Sequence, residues 1–290
     1  MNDEAFAPQA LAADLTRVHE IYSDFFSGLT ANDWRYPSEN GDEEWNLREV
    51  MAHLGALTTF GQESIEAALR GEAIAFPGFT NRFEFAQFNR RQIDERLDRP
   101  PEALSADFLQ ALARSIETAS HATADQLDCA VDLPIYNRPI RVGELLGIQI
   151  MHTGLTHAAQ VTEPAGAPPL WTHMEPDMRR RTIGRVMRAL SLLYRQDLGG
   201  HLEAVLQFQV KGEGGGKWHV ILSPQIPSSA QGAATPANLT LSFRDTASVC
   251  RMFTGRLNLL SALITGRLRL RGDLRLFLRF RSLFSVDAPA

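Results

Sequence analysis

Four prolines fall within residues 162–177, TEPAGAPPLWTHMEPD, and they limit how far regular structure can extend through the middle of the chain. Proline lacks the backbone N–H that helices and sheets use, so such a cluster ends a helix or a strand. We therefore predict a domain over 1–162, a linker over 163–177 and a second domain over 178–290. When the 290 residues are divided in this way, each predicted domain has an ordinary domain length.

The two predicted domains differ in charge. Residues 179–290 contain 17 Lys and Arg against 6 Asp and Glu, whereas residues 1–178 contain 12 against 28. This asymmetry predicts two units with different partners, or with each other as partner. We expect no nucleic-acid partner, because no recognised nucleic-acid motif accompanies the arginines of the basic half. A homo-oligomer is an alternative that the sequence leaves open.

The first predicted domain has helical periodicity. Apolar residues recur at spacings of three and four over 9–29, which predicts one amphipathic helix. A second helix is predicted over 46–70, with Asn46 as its cap and Glu49 three positions later, close to a capping box. Further helices are predicted near 80–98, 103–127 and 143–161. Four long helices favour an antiparallel four-helix bundle.

The second predicted domain has mixed periodicity. After a helix near 177–196, AVLQFQV and KWHVILS flank the glycine-rich KGEGGG, which predicts a β-hairpin. ANLTLSF and GRLRLRG alternate apolar and polar residues, so each strand should lay one face on a core. The glycine-rich segment is not a phosphate loop, because Trp218 follows Lys217 where a hydroxyl residue is needed. The predicted fold class is multidomain, α followed by α+β.

The stretch 237–284, ANLTLSFRDTASVCRMFTGRLNLLSALITGRLRLRGDLRLFLRFRSLF, carries a family resemblance. Its strand, its acidic helix start at Asp245, its short apolar helix and its G-x-L-x-x-x-G-D core resemble the sterol carrier protein type 2 family. The resemblance covers about 180–285 and implies a twisted sheet with helices around an apolar tunnel for acyl or sterol-like ligands. A packed core without a tunnel is the alternative. In either case the interior is expected to contain Leu268, Leu270, Leu274, Phe277, Leu278 and Phe284.

A second resemblance rests on WRYPSENGDEEWNLREVMAHL (34–54), FNRRQIDERL (88–97) and VGELLGIQIMHTGLTHAAQV (142–161). These stretches are similar to the DinB-like superfamily, in particular its mycothiol-dependent maleylpyruvate isomerase branch, over nearly all of 10–162. Members often bind zinc or a similar ion through one histidine on the second helix and two ligands on the last. Some also carry a sterol-carrier-like second domain. The resemblance implies a divalent ion, a small thiol such as mycothiol, and an isomerisation or thiol-transfer reaction.

Carried onto this chain, the family pattern assigns His53 to the first ligand position and His157 to the last. The middle position, four residues before His157, is Thr153, and His152 lies one step away. Five residues of regular helix separate two side chains by about 140°, so both imidazoles could not easily reach one ion. A π-turn with i to i+5 bonding would bring them together, and Gly154 tolerates irregular backbone.

The candidate metal ligands are therefore His53, His152 and His157, with zinc as the expected ion. The alternative is a degraded site, in which interior histidines hydrogen-bond across the bundle. Gln160 and Glu144 are candidates to fix the tautomer of an imidazole. Weaker candidates are the remaining histidines, His19, His121, His173, His201 and His219.

The sequence also bears on location and on the source of a reactive thiol. Cys129 and Cys250 have no ligand-like neighbours and are predicted to be buried thiols in a reducing cytoplasm. We expect no secretory signal, and no apolar run approaches the ~18–20 residues of a membrane span. Since no cysteine lies near the candidate ligands, a reactive thiol would come from a cofactor. Candidates for binding a substrate carboxylate are Arg256, Arg267, Arg269 and Arg271.

Two functional hypotheses follow. The first is a metal-dependent, thiol-using isomerase or transferase that acts on a small molecule. The second is a non-enzymatic carrier of an apolar ligand, with a degraded metal site in the helical domain.

Overall fold

A computed structural model of the chain describes residues 3–35, 45–72, 74 and 78–284. The chain forms two compact units, Met1–Asp132 with Ile140–Met174, and Leu133–Pro139 with Glu175–Ala290. Helices form the first unit and a sheet with helices forms the second, which confirms the predicted α then α+β class. The domain boundaries predicted at 162 and 177 stay a prediction. Residues 36–44 of the motif at 34–54 lie outside the described residues.

The first unit consists mainly of helices. They are α1 (Pro8–Ser27), α2 (Leu47–Leu69), α3 (Phe85–Asp94), α4 (Pro101–His121), α5 (Ala124–Leu127), α6 (Val142–Met151) and α7 (Ala158–Thr162). A short antiparallel pair is formed by β1 (Ala130–Val131) and β2 (Ile140–Arg141). Turns of 3-10 helix lie at Glu4–Phe6, Arg82–Glu84, Glu163–Ala165 and Leu170–His173.

The core of this unit is a four-helix bundle. Helices α1 and α2 both pack against α4, and α6 packs against α1 and α2. The apolar stripe of α1 is buried in the bundle, which accounts for the helical spacing of its leucines. Helix α2 begins where the sequence predicts, because Asn46 accepts the Glu49 N–H at 3.0 Å and Glu49 accepts the Asn46 N–H at 3.1 Å.

The second unit is built on a five-stranded sheet. Its helices are α8 (Pro176–Leu193), α9 (Gln196–Gly199), α10 (Thr246–Phe253), α11 (Leu259–Ile264), α12 (Leu274–Leu278) and α13 (Phe280–Phe284). Its strands are β3 (Ala204–Val210), β4 (Gly216–Leu222), β5 (Ser228–Gln231), β6 (Leu239–Phe243) and β7 (Leu268–Gly272). The strand order is β5-β4-β3-β6-β7.

The pairing of these strands follows the sequence pattern. Strands β3 and β4 form the predicted antiparallel hairpin, and β3 also pairs in parallel with β6. The hairpin turn contains Gly212 and Gly214 at φ 80° and 74°, a region that favours glycine. Strand β6 buries Leu239, Leu241 and Phe243, so the alternation of ANLTLSF correctly predicts a strand with one face on the core.

The interior of the second unit contains a cluster of aromatic rings. Phe208 lies 6.3 Å from Phe253 and 6.4 Å from Phe280, measured between ring centroids. Phe284 continues the cluster at 4.8 Å from Phe280 and reaches Tyr194 at 6.0 Å. These separations are typical of interacting aromatic pairs. Phe208 and Tyr194 are buried, whereas Phe253, Phe280 and Phe284 are half-buried, so the cluster extends from the apolar interior toward the surface.

Two leucines expected in that interior lie at the surface instead. Leu274 is 53% exposed and Leu278 is 82% exposed, whereas Leu268 and Leu276 are buried. Residues 274 and 278 are four apart and share one face of α12, while Leu276 points to nearly the opposite face. The helix buries the Leu276 face, so the prediction for Leu274 and Leu278 was wrong.

The cysteines differ from each other. Cys250 is buried as predicted, and burial raises the pKa of its thiol to about 12. Cys129 is only half-buried, so the prediction of a buried thiol was wrong at that position. Over the described residues, none of the helices combines the length and the apolarity that crossing a bilayer requires.

Candidate metal centre

A π-turn separates two of the three candidate histidines. Helix α6 ends at Met151, a π-helical segment runs over His152–Thr156, and α7 begins at Ala158. The His157 N–H donates to the His152 carbonyl at 3.2 Å, five residues earlier. This is the irregular backbone that the five-residue spacing requires if both imidazoles are to lie on one face.

Gly154 is closely packed inside this turn. A Cβ atom on Gly154 would lie 2.4 Å from the Met174 Cε atom and 3.4 Å from the Val18 Cγ2 atom. Met174 follows the 3-10 turn Leu170–His173, which packs against the π-helical segment. Met174 is itself buried, so a larger residue at 154 would have to displace it.

The three histidines bring their Nε2 atoms together. The His152 Nε2 atom lies 3.3 Å from the His53 Nε2 atom and 3.1 Å from the His157 Nε2 atom. One ligand atom from each residue falls within 4.8 Å of the other two. His53 comes from α2, so the site joins the second helix of the bundle to the last.

The two separations that involve His152 fit a tetrahedral ion. Two imidazole nitrogens at about 2.0–2.1 Å from a tetrahedral zinc ion lie about 3.4 Å apart, close to the observed 3.1 and 3.3 Å. Three nitrogen donors are also a donor set that zinc accepts. Within the described part of the chain, this is the one cluster of His, Cys, Asp or Glu side chains with such an arrangement.

Gln160 fixes the orientation of one ring. The His157 Nδ1 atom lies 2.5 Å from the Gln160 Oε1 atom, and an amide oxygen only accepts hydrogen bonds. The Nδ1 atom therefore carries the proton, and the Nε2 lone pair faces the other two imidazoles. This is the arrangement that metal-ligating histidines usually adopt, and it confirms the prediction that Gln160 contacts an imidazole.

The Trp45 ring lies beside two rings of the triad. The Trp45 ring lies 4.9 Å from the His53 ring and stacks on the His157 ring at 6.4 Å, with 13° between the planes. The His53 Nδ1 atom is buried and has no hydrogen-bond partner among the described residues. A metal ion at Nε2 would therefore leave the Nδ1–H of this ring without an acceptor in the described part of the chain.

Burial keeps the His53 and His152 imidazoles neutral. Desolvation lowers the pKa of His53 well below its ordinary value, and the positive charge that His157 or His152 would carry lowers it further. Desolvation and His157 lower the pKa of His152 in the same way. Neutral imidazole is the form that binds metal ions, so near neutral pH the site needs to lose no proton from these two rings.

Other candidates do not join the triad. The Thr153 hydroxyl donates to the Gln149 carbonyl at 2.7 Å, along the helix. Glu144 accepts the Arg141 N–H at 2.9 Å, two turns before His152, and this is a helix cap instead of a contact with the triad. His19 contacts the Ser23 hydroxyl at 3.5 Å.

Trp45 was not predicted from the sequence to lie at the site. Trp45 comes eight residues before His53 and immediately before the cap of α2, so helical spacing does not relate the two. An aromatic residue directly before a helix that carries a candidate ligand is the signal that could have found it.

Two family models match the chain, one on each unit. The model of the mycothiol maleylpyruvate isomerase N-terminal domain matches residues 15–146, and that of the SCP-2 sterol transfer family matches residues 189–285. None of the curated proteins matches the chain.

Solved structures give the same picture of the fold. A crystal structure of the mycothiol-dependent maleylpyruvate isomerase matches with a TM-score of 0.54 and 16% identity, over 85% of this chain and 90% of that chain. A histidine-to-alanine mutant of the mycothiol-dependent maleylpyruvate isomerase matches with a TM-score of 0.55 and 15% identity, over 91% and 94%. The chain is thus similar to the mycothiol maleylpyruvate isomerase N-terminal domain over residues 15–146 and to the SCP-2 sterol transfer family over residues 189–285.

Proposed function

We propose that His53, His152 and His157 bind one divalent ion, zinc in the first place, and that the protein is a thiol-dependent isomerase or transferase. The observation that carries the proposal is the convergence of three Nε2 atoms at 3.1 and 3.3 Å. The family model on residues 15–146 supports a mycothiol-dependent, isomerase-like chemistry. Maleylpyruvate is the first substrate to test and mycothiol is the first thiol, because both compounds appear in the names of the similar structures.

The charge of the donor set favours an anionic fourth ligand. Three neutral imidazoles leave the full charge of a divalent ion uncompensated, and no carboxylate among the described residues belongs to the cluster. A site with three protein ligands keeps a position for water or substrate, as catalytic zinc sites do. When bound, such an ion lowers the pKa of a thiol or water and so supplies a nucleophile at neutral pH.

The residues around the triad have separate tasks. Gln160 accepts the His157 Nδ1–H and holds that ring with its Nε2 atom inward. Trp45 covers the His53 and His157 rings and limits the access of water from its side. His53 and His152 stay neutral through burial, so their lone pairs remain available for binding.

An activity assay with matched histidine variants tests the proposal. Protein loaded with zinc is incubated with maleylpyruvate, with and without mycothiol, and the loss of maleylpyruvate is followed. We expect turnover that requires both the thiol and the ion. His53→Ala should abolish it, whereas His121→Ala should retain it, because His121 is exposed at the end of α4.

A second experiment distinguishes this proposal from the alternative function as a carrier. A carrier of an apolar ligand is favoured by the SCP-2 match over residues 189–285 and by the aromatic interior of the second unit. Organic extraction of the purified protein, followed by mass spectrometry, would detect a bound acyl or sterol-like molecule. A bound lipid together with no metal and no thiol-dependent turnover would contradict the isomerase and favour the carrier.

A further inference from the structure

The π-turn displaces one carbonyl from the helical hydrogen-bond ladder. In a regular helix the His157 N–H would donate to the Thr153 carbonyl, four residues earlier. It donates instead to the carbonyl of His152. The Thr153 carbonyl lies in a fully buried residue, and a buried carbonyl without a partner is costly.

Tyr22 supplies that partner. The Tyr22 hydroxyl donates to the Thr153 carbonyl oxygen at 2.8 Å, from a different helix and 131 positions away in the sequence. The Tyr22 side chain is 0% exposed, so water does not compete for this hydrogen bond. The Phe108 ring packs edge-on against the Tyr22 ring at 4.7 Å and helps fix its direction. Burial raises the pKa of the Tyr22 hydroxyl, which therefore remains protonated and able to donate.

We propose that Tyr22 is a positioning residue of the metal centre. Its hydroxyl stabilises the π-turn by hydrogen-bonding the carbonyl that the turn displaces, and the turn places the His152 and His157 imidazoles on one face. The effect on metal binding rests on the proposed function. The effect on the turn rests on the hydrogen bond between Tyr22 and Thr153 alone.

Two contacts then position the candidate ligands in different ways. Gln160 orients the ring of His157, whereas Tyr22 sets the backbone from which His152 and His157 project. Without the hydroxyl, a regular helix regains an advantage, because it would pair the Thr153 carbonyl with the His157 N–H. In a regular helix the His152 and His157 imidazoles point about 140° apart. Metal affinity should therefore depend on Tyr22, although Tyr22 touches neither ligand side chain.

Tyr22→Phe tests the proposal, because phenylalanine keeps the ring and removes only the hydroxyl. We expect zinc affinity, measured by competition with a chelator, to fall about tenfold, equivalent to about 1.4 kcal/mol. We also expect the visible absorption bands of the cobalt-substituted protein to change in position or intensity. A purely structural role for Tyr22 would lower stability and leave this spectrum unchanged.

Tyr194→Phe is the matched control. The Tyr194 hydroxyl is buried but has no hydrogen-bond partner, and the residue belongs to the second unit. Its removal should leave zinc affinity and the cobalt spectrum as they are in the original protein. Equal affinity and equal spectra for Tyr22→Phe and the original protein would overturn the proposal.

A measurement on metal-free protein separates this proposal from the metal hypothesis. The NMR scalar coupling across the hydrogen bond of the His157 amide identifies its carbonyl acceptor and so reports the i to i+5 hydrogen bond directly. We expect the acceptor to change from the His152 carbonyl to the Thr153 carbonyl in Tyr22→Phe, and an unchanged acceptor would overturn the role of Tyr22 in the turn. If the original protein binds no zinc, the proposed function fails while this result still decides the role of Tyr22.

Discussion

The direction of the ring nitrogens decides what the histidine cluster can bind. His157 donates through Nδ1 to Gln160, so its Nε2 lone pair points toward His53 and His152. Three lone pairs converging there would repel one another unless the N–H of one ring or a cation lies between them. Burial keeps His53 and His152 neutral, as their lowered pKa values indicate, and the single proton of a neutral ring can bridge only one pair of the three nitrogens. A metal ion satisfies all three nitrogens.

Removing the amide of Gln160 should weaken metal binding. Gln160→Leu takes away the acceptor for the His157 Nδ1–H and frees the ring to rotate or change tautomer. We expect zinc affinity to fall about 10- to 100-fold, as is usual for such supporting contacts. Gln62→Leu is the control, because Gln62 is an equally buried glutamine that bonds Glu66 and Thr118 instead. Chelator competition on both variants checks the prediction, and an equal loss of affinity in the two would contradict it.

The metal-free protein should lose stability as the pH falls below about 6.5. In the unfolded chain each histidine titrates near 6.5, whereas burial lowers the pKa of His53 and His152 in the folded state. The unfolded state therefore binds more protons at low pH. The free energy of unfolding is fully retained above pH 7 and falls below 6.5, by up to about 1.4 kcal/mol per pH unit for each histidine.

Urea unfolding at pH 7.5 and pH 5.5 measures this effect. His53→Phe removes one of the two groups, so its loss of stability between the two pH values should be smaller than that of the original protein. An identical pH dependence for both proteins would contradict the assignment of lowered pKa values to the cluster.

At this scale the sequence indicates the candidate ligands and one supporting residue, Gln160, but it misses Tyr22. His53 and His157 were found through the resemblance to a family pattern, and His152 by its position one step from that pattern. Tyr22 was recognised only as part of the apolar stripe of α1, because its hydroxyl meets a carbonyl 131 positions away. Contacts of this range follow from tertiary packing, which helical periodicity does not encode.

The π-turn is the element on which the site depends. A five-residue spacing between histidines predicts divergent side chains in a regular helix, and the sequence alone could not choose between a π-turn and a degraded site. The structure contains the π-turn, and Gly154 packs closely against Met174 and Val18 within it. None of these contacts is visible in the local sequence.

Gly154→Ala should destabilise the protein. The added Cβ would lie 2.4 Å from the Met174 Cε atom, so the buried methionine must shift. We expect a loss of about 1–3 kcal/mol in the free energy of unfolding, as for other overpacked cores. Gly55→Ala is the control, because a Cβ there lies 3.8 Å from its nearest neighbour in the middle of α2.

The control should behave in the opposite way. Gly55→Ala is expected to stabilise the protein by about 0.5–1 kcal/mol, since alanine favours a helix over glycine. Urea unfolding of both variants measures the difference. A gain in stability from Gly154→Ala would contradict the account of the turn.

Elements with a strong local signal were predicted well. Asn46 and Glu49 predict the start of α2 because both capping hydrogen bonds are local. Helix α12 shows where local reasoning fails, since an apolar run does not reveal which face packs inward. Leu276 is buried while Leu278, two residues later, lies at the surface.

At the scale of the whole molecule, two kinds of domain share one chain. The first unit carries the candidate metal centre, and the second combines a five-stranded sheet with an apolar interior. The sequence predicts both classes, because helical periodicity gives way to alternating strands after the proline cluster. The charge asymmetry between residues 1–178 and 179–290 follows the same division.

Elemental analysis of protein purified without an affinity tag tests the central claim most directly. The account predicts about one zinc or similar divalent ion per chain, lost in His157→Ala and retained in His121→Ala, whose side chain is exposed. Removal of one of three ligands should suffice, because the remaining two nitrogens hold such an ion weakly. The absence of any ion from the original protein, even after incubation with zinc, would contradict the account and identify the cluster as a degraded site.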